Sequence, residues 1–171
     1  RILSDGIFPH PCPTPQLVET RLSYILLGKA FAYKFKKEIK YSFLDFSTLE
    51  QRKYFCEREV LLNNRSTKGL YLGVVPVRQQ GSEIWVDGIE GKVIDYAIKV
   101  KRLKEDRQMH RMLEHHQVTL KHIKDVASTL RKFHQQTTII HQPFDRGVFA
   151  SRFNDLQSVA DFISADHSEI A

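Results

Sequence analysis

Cysteine is scarce in this chain: Cys12 and Cys56 are the two present among 171 residues. Two thiols cannot build the cross-linked framework of a small extracellular domain, so a reducing, cytoplasmic setting is expected. Long apolar runs are missing as well. Stretches such as "YILL" at Tyr24–Leu27 fall far short of the ~20 residues needed to span a bilayer, so no membrane is expected among the partners. No basic-then-apolar leader opens the sequence, which starts at Arg1, and there are no internal repeats or low-complexity tracts.

Hydrophobic residues make up 42% and charged residues 27%, the range of a folded globular chain. The length suffices for one ordinary domain with its own core. A formal net charge of +6 suits a polyanion such as nucleic acid, an anionic membrane or a nucleotide, and equally suits a solvated basic surface.

Four of the six prolines fall in residues 1–16, which reads as an extended arm. A strand-like run at Leu22–Leu27, a turn at "GKA" with Gly28 and a strand over "FAYKFKKEIK" then predict a β-hairpin. Within that last strand Phe31, Tyr33 and Phe35 share one face and Ala32, Lys34 and Lys36 the other. "DFSTLEQRKYFCEREVLLNNRSTKG" is the clearest helix, with Ser47 and Glu50 at capping-box spacing. Leu49, Cys56 and Val60 form its apolar stripe, with Phe55 and Leu62 beside it, and Cys56 is expected to be buried. "YLGVVPV", "SEIWVD" and "KVIDYAIKVKRL" read as three more strands, with Pro76 implying an edge or a bulge.

After residue 103 the pattern becomes helical. The first helix opens at Glu105; the second opens at a Thr119 cap and carries Leu120, Ile123, Val126, Ala127, Leu130 and Phe133 on a face expected to be buried. A weaker helix is expected at Leu156–Ile163. The fold class is therefore α+β, strands plus one helix first and helices afterwards, with a junction near Arg102 and Leu103.

Chemistry concentrates on two segments. At about 100° per residue, Glu59 lies inside the helix's apolar sector, between Cys56 and the Phe55/Leu62 pair. A glutamate there needs a cation, and Lys34 on the neighbouring strand is the natural one. Glu57, on the other side of the stripe, competes for that role. A strand lysine clamped by a helix glutamate is how kinases hold nucleotide phosphates.

The blocks "ETRLSYILLGKAFAYKFKKEIKYSFLDFSTLEQRKYFCEREVLLNNR…LYLGVVPV", "IDYAIKVKRL" and "LRKFH" resemble the aminoglycoside-phosphotransferase-like kinases. The closer likeness is to a bacterial branch in which such a domain is often fused to a P-loop ATP-binding domain. The resemblance runs from about Pro9 to about His134. It implies a protein-kinase-like N-lobe over residues 17–103, an antiparallel sheet of about five strands with one helix, and the first helices of an α-helical C-lobe over 104–171. It further implies ATP with magnesium as cofactor and a small hydroxylated acceptor. Lys34 matches the phosphate-binding lysine and Glu59 its helix partner. "ETRLS", Glu19–Ser23, matches the loop covering the phosphates. That loop lacks the usual glycines and has Arg21 where relatives more often carry histidine, so Thr20 and Ser23 hydroxyls would have to help hold phosphate. Val100, Lys101 and Arg102 match the strand entering the interlobe hinge, whose backbone would hydrogen-bond adenine. On this likeness Lys34 faces the nucleotide, with Lys36 nearer the rim of the cleft.

The His-Gly-Asp…Asn loop that such kinases need does not occur in these residues, so no catalytic residue and no magnesium ligand is assigned here. Asp45 in "LDFS" precedes the helix and reads as an orienting or capping residue. A catalytically inactive kinase-like scaffold or regulatory module is the alternative, and a basic nucleic-acid-binding domain a weaker one. "KVKRLK" at Lys99–Lys104 has no interleaved aromatics and reads as a solvated hinge. His110, His115, His116 and His122 lack the spacing of a metal pair on one helical face. His134 is expected to be packed and hydrogen-bonded, and Trp85 to cover its hairpin or join the core.

Overall fold

The alternation in "FAYKFK" resolves into a strand with two different faces. In the computed structural model, which describes Ile2, residues 6–10 and residues 15–151, that strand is Phe31–Lys36 (β4). Tyr33 and Phe35 are 2% and 5% exposed, and they join Leu26, Val75, Val77, Ile84, Val86 and Ala97 in the main core cluster. Burial of a large apolar side chain contributes about 1.5–3 kcal/mol, so this aromatic face is a main source of cohesion. Cys12 and the segment Leu156–Ile163 lie outside the described residues.

The sheet has seven strands. Besides β4 these are Gly6–Ile7 (β1), Gln16–Glu19 (β2), Ser23–Leu27 (β3), Tyr71–Gln80 (β7), Glu83–Val86 (β8) and Lys92–Lys101 (β9), in the order β1-β8-β7-β9-β4-β3-β2. Every neighbouring pair is antiparallel except β1–β8. The fold is α+β. Two strands exceed the five read from the sequence, one at each edge. The proline-rich arm contributes β1, and Phe8 packs against Tyr33 with ring centroids 5.2 Å apart. A second, two-stranded sheet, Lys40–Tyr41 (β5) with Leu44–Asp45 (β6), links β4 to the first long helix.

Pro76 sits in β7, an interior strand, yet its position is locally an edge. The nitrogen and carbonyl of one strand residue point the same way, and the Pro76 carbonyl accepts from Asp87 N–H just past the end of β8. The missing N–H therefore faces a stretch with no strand to receive it, and a register irregularity follows between Val77 and Arg78. Gly28 closes the β3–β4 hairpin with its N–H on the Phe31 carbonyl at 2.9 Å, and it is not among the left-handed residues, so this turn does not depend on a positive φ there.

The helix Leu49–Asn63 (α1) packs on β7 and β9. Its N-cap is Thr48, whose side chain accepts from Gln51 N–H, and not Ser47. Ser47 is already committed: its N–H and hydroxyl both donate to Asp45 Oδ1, at 2.9 and 2.6 Å. Asp45 thus organises the entry to α1, as its position before the helix suggests.

The helical region begins with a 3₁₀ turn at Glu105–Arg107 and continues as Met109–Glu114 (α2), Leu120–Gln136 (α3) and Arg146–Ser151 (α4). Thr119 caps α3 as expected, in a capping box completed by the His122 ring. The apolar stripe of α3 is not buried among the described residues: Leu120, Ile123, Val126 and Leu130 are 45–68% exposed. His134 is also exposed, contrary to the packed role expected for it. Arg65 lies over the Phe133 end of this face, its guanidinium 5.0 Å from the ring, and Met109 and Met112 of α2 border a cavity with Val126. Trp85 is half-buried on its hairpin. No helix among the described residues is long and apolar enough to cross a membrane.

The bonds from the Ser47 hydroxyl and N–H, with Lys40 at 3.2 Å, hold the Asp45 carboxyl down at about 2. A depressed carboxylate contributes stability above its unfolded value, near 4, and loses it as pH falls toward the folded value. Urea unfolding from pH 5 to pH 2 should therefore show a steeper loss of midpoint for the parent chain than for Asp45→Ala, with the difference confined below about pH 4.

Candidate functional site

Lys34 and Lys36 leave β4 on the face opposite the aromatic core and meet the same carboxylate. Lys34 Nζ lies 2.7 Å from Glu59 Oε1, and Lys36 Nζ lies 2.9 Å from Glu59 Oε2. Glu59 is therefore the partner of the strand lysines. Glu57 points outward and is paired, at 3.8 Å, with Lys53 on its own helix. The relative depth of the lysines reverses the expectation: the Lys36 side chain is 6% exposed and that of Lys34 30%. Lys36 is covered by Phe46, whose ring centroid is 4.7 Å from its Nζ, while Lys34 keeps the more open position.

Glu59 is held in place by a helix whose docking face is largely polar. Arg52, Cys56, Glu59 and Asn63 follow one another at four, three and four residues, one continuous stripe of α1. Arg52 is 7% exposed and engaged through two of its nitrogens: Nε donates to Asp95 Oδ1 at 2.8 Å, and Nη1 donates to the Phe46 and Ser47 carbonyls. Cys56, between the two ion pairs, is 0% exposed, and burial pushes its thiol up to about 11. Asn63 Nδ2 donates to the Glu59 carbonyl, and Asn64 Nδ2 to the Tyr71 carbonyl, joining the end of α1 to β7. Leu62, expected beside the buried stripe, is 46% exposed. A stripe defined by apolar residues leaves Arg52 out, although its spacing of four from Cys56 places it on that stripe.

Burial works to raise the Glu59 carboxyl, and the hydrogen bonds from Lys34 and Lys36 outweigh it, leaving the group below its usual range. Tyr71 stands close by. Its phenol is pushed up first by burial and then by the Glu59 charge. One carboxylate against two ammonium groups leaves one positive charge uncompensated at the more open lysine, an arrangement suited to an anion.

Beside Lys34 the same sheet face forms a groove of about 420 Å³, whose lining includes Val18, Leu27, Ala32, Val100, Lys101 and Arg102. Leu27, Ala32 and Val100 are in cross-strand register, which makes its floor apolar. The sequence-predicted Val100–Arg102 segment thus borders a cavity on the Lys34 side. Two backbone donors of that segment are already engaged: Lys101 N–H bonds the Leu70 carbonyl and Arg102 N–H the Ala30 carbonyl. Thr20 and Ser23 lie at the β2–β3 turn and bond each other. The Thr20 hydroxyl donates to the Ser23 carbonyl and accepts from Ser23 N–H, both at 3.0 Å, and Ser23 is 2% exposed. Their hydrogen bonds close the turn instead of pointing an array of donors outward. Another groove, of about 440 Å³, lies among Leu17, Tyr24, Leu26 and Phe35 on the opposite sheet face and reaches Lys36, Lys37 and Asp95 at the end of β4. No group of three His, Cys, Asp or Glu among the described residues is placed to hold a metal ion.

Comparison with known proteins finds relatives without a described activity. The chain is 26% identical over 130 residues to proteins named only as uncharacterized from Mycobacterium tuberculosis and Mycobacterium bovis. The alignment covers 74% of this chain and 24% of those proteins, so the chain spans about a quarter of the length of the curated relatives it matches. No family model matches. No solved structure matches either.

Removing the carboxylate would leave two ammonium groups facing each other under α1. Glu59→Gln should lower unfolding stability by about 3 kcal/mol at neutral pH. Because the Lys34 and Lys36 hydrogen bonds hold the Glu59 carboxyl below the usual range of a glutamate, its stabilisation is present above the unfolded value, near 4, and lost beneath it. The deficit of the variant, measured by urea titration, should therefore shrink as pH is taken below about 4.

Proposed function

We propose that this chain is the nucleotide-binding lobe of a kinase-like phosphotransferase, using ATP with magnesium and acting on a small hydroxylated molecule. The observation that carries the reading is the contact between Lys34 Nζ on β4 and Glu59 Oε1 on α1 at 2.7 Å. The strand order adds support. Strands β2, β3, β4, β9 and β7 are consecutive antiparallel neighbours, with α1 inserted in sequence between β4 and β7. An antiparallel run of strands with one inserted helix supports the reading, and β8 and the parallel-paired β1 extend the sheet beyond the about five strands that the resemblance implies.

The residues present suit a nucleotide. The groove volume falls in the range of about 300–1,000 Å³ typical of small-molecule sites. Its apolar floor at Leu27, Ala32 and Val100 suits the flat face of a base. Lys34 stands two residues along β4 from Ala32, roughly 7 Å away, where the phosphates of a nucleotide seated on that floor would lie. Lys34 would contribute a charge-assisted contact to phosphate oxygen, and Glu59 would orient it. With Lys101 and Arg102 N–H engaged, a base on this segment would be recognised by shape and by other backbone groups. Bound ATP with magnesium would supply the transferable phosphoryl group. The aspartates that such a transfer requires are not found in these residues, so in this reading they come from further sequence.

Two substitutions test the proposal at separate points. Lys34→Met should weaken ATP binding by about 100-fold or more while the circular dichroism spectrum is retained. Unchanged affinity by calorimetry would remove the site. Ala32→Leu should narrow the groove and weaken ATP by roughly tenfold, with less effect on inorganic triphosphate.

A further inference from the structure

Glu59 offers one oxygen to each of two lysines whose surroundings differ. Lys36 is almost wholly buried, with its ammonium against Phe46 and its contact to Glu59 at 2.9 Å. A buried ammonium deprived of its carboxylate is very costly, so Lys36 requires Glu59 whether or not any ligand is present. Lys34 is 30% exposed, so water or an incoming anion can replace part of its contact with Glu59. Ser23, opposite Lys36 in register, is 2% exposed, and although Lys36 borders the groove that reaches this end of β4 it shows that groove little of its surface.

We infer that Lys36 is a positioning residue: it anchors Glu59, and through it α1, against the sheet independently of Lys34, so that Lys34 alone faces an anionic ligand. The helix then stays docked when the ligand site is empty. The part of this inference that concerns ligand affinity rests on the nucleotide reading above; the part that concerns the helix does not.

Cys56 supplies the readout, because it lies under α1 one turn before Glu59 and is inaccessible while the helix is docked. In a Cys12→Ser background, Cys56 is the one thiol in the chain, and its rate of modification by a disulfide reagent reports how often α1 lifts. Lys36→Gln should speed modification about tenfold or more, whereas Lys34→Gln should stay within about twofold of the parent. Lys36→Arg, which keeps a cation on Glu59, should bring the rate back to within about threefold. Calorimetry with ATP and magnesium should show a loss of about 100-fold in Lys34→Gln and about three- to tenfold in Lys36→Gln. Equal exposure of Cys56 in the two glutamine variants overturns the inference, as does parent-like protection in Lys36→Gln or an equal loss of affinity in both. Should the parent chain bind no ATP, the nucleotide reading fails, and the modification rates still decide whether Lys36 holds the helix.

Discussion

The arrangement of this protein turns on a carboxylate held between two ammonium groups at the junction of sheet and helix. Glu59 meets Lys34 and Lys36 within 3 Å. A lone ion pair at such a place is commonly neutral or costly for stability, because both partners give up water. Two cations on one anion change that balance: they keep the carboxylate ionised against the effect of burial, and they leave a surplus positive charge at the more open end. Docking of the helix, the charge beside the groove and the identity of the lysine that a ligand would meet all follow from it.

The helix bearing Glu59 is attached in an uncommon manner. Its buried positions are an arginine and a cysteine, with a half-buried glutamate and asparagine completing the stripe. Arg52 with Asp95 fixes one end and Glu59 with the lysines the other, while Cys56 fills the gap between them. Such contacts are directional, whereas an apolar stripe can slide along its groove. A side chain that must be placed to within a few tenths of an ångström benefits from that rigidity.

Much of this was legible in the sequence. The α+β class, the aromatic face of β4 and the hairpin before it followed from period-two and period-3.6 patterns, whereas periodicity left Glu57 competing with Glu59 for the strand lysine and the family likeness pointed to Glu59. What stayed hidden has physical causes. Alternation tells which face a lysine occupies but not how deep it lies, and the depth of Lys36 is set by Phe46, ten residues further on. Arg52 ends in a charged guanidinium, so a hydrophobicity criterion passes over it. The stripe on α3 has the right period and yet is not covered among the described residues, because period reports amphipathicity and not the presence of a partner. Thr48 displaced Ser47 as cap because Asp45 had already claimed the serine.

The two-residue strand β1 has a consequence for how the sheet is completed. Gly6 pairs with Ile84 and Ile7 with Trp85, so the opening of the chain finds its place only after β8 has been made. Contacts of such long sequence separation form slowly, since most of the intervening chain must be ordered before they are rewarded. Until then β8 presents an unpaired backbone edge, of the kind along which nascent chains associate with one another. By pairing with β8, the short strand β1 covers that outer edge once the sheet has closed.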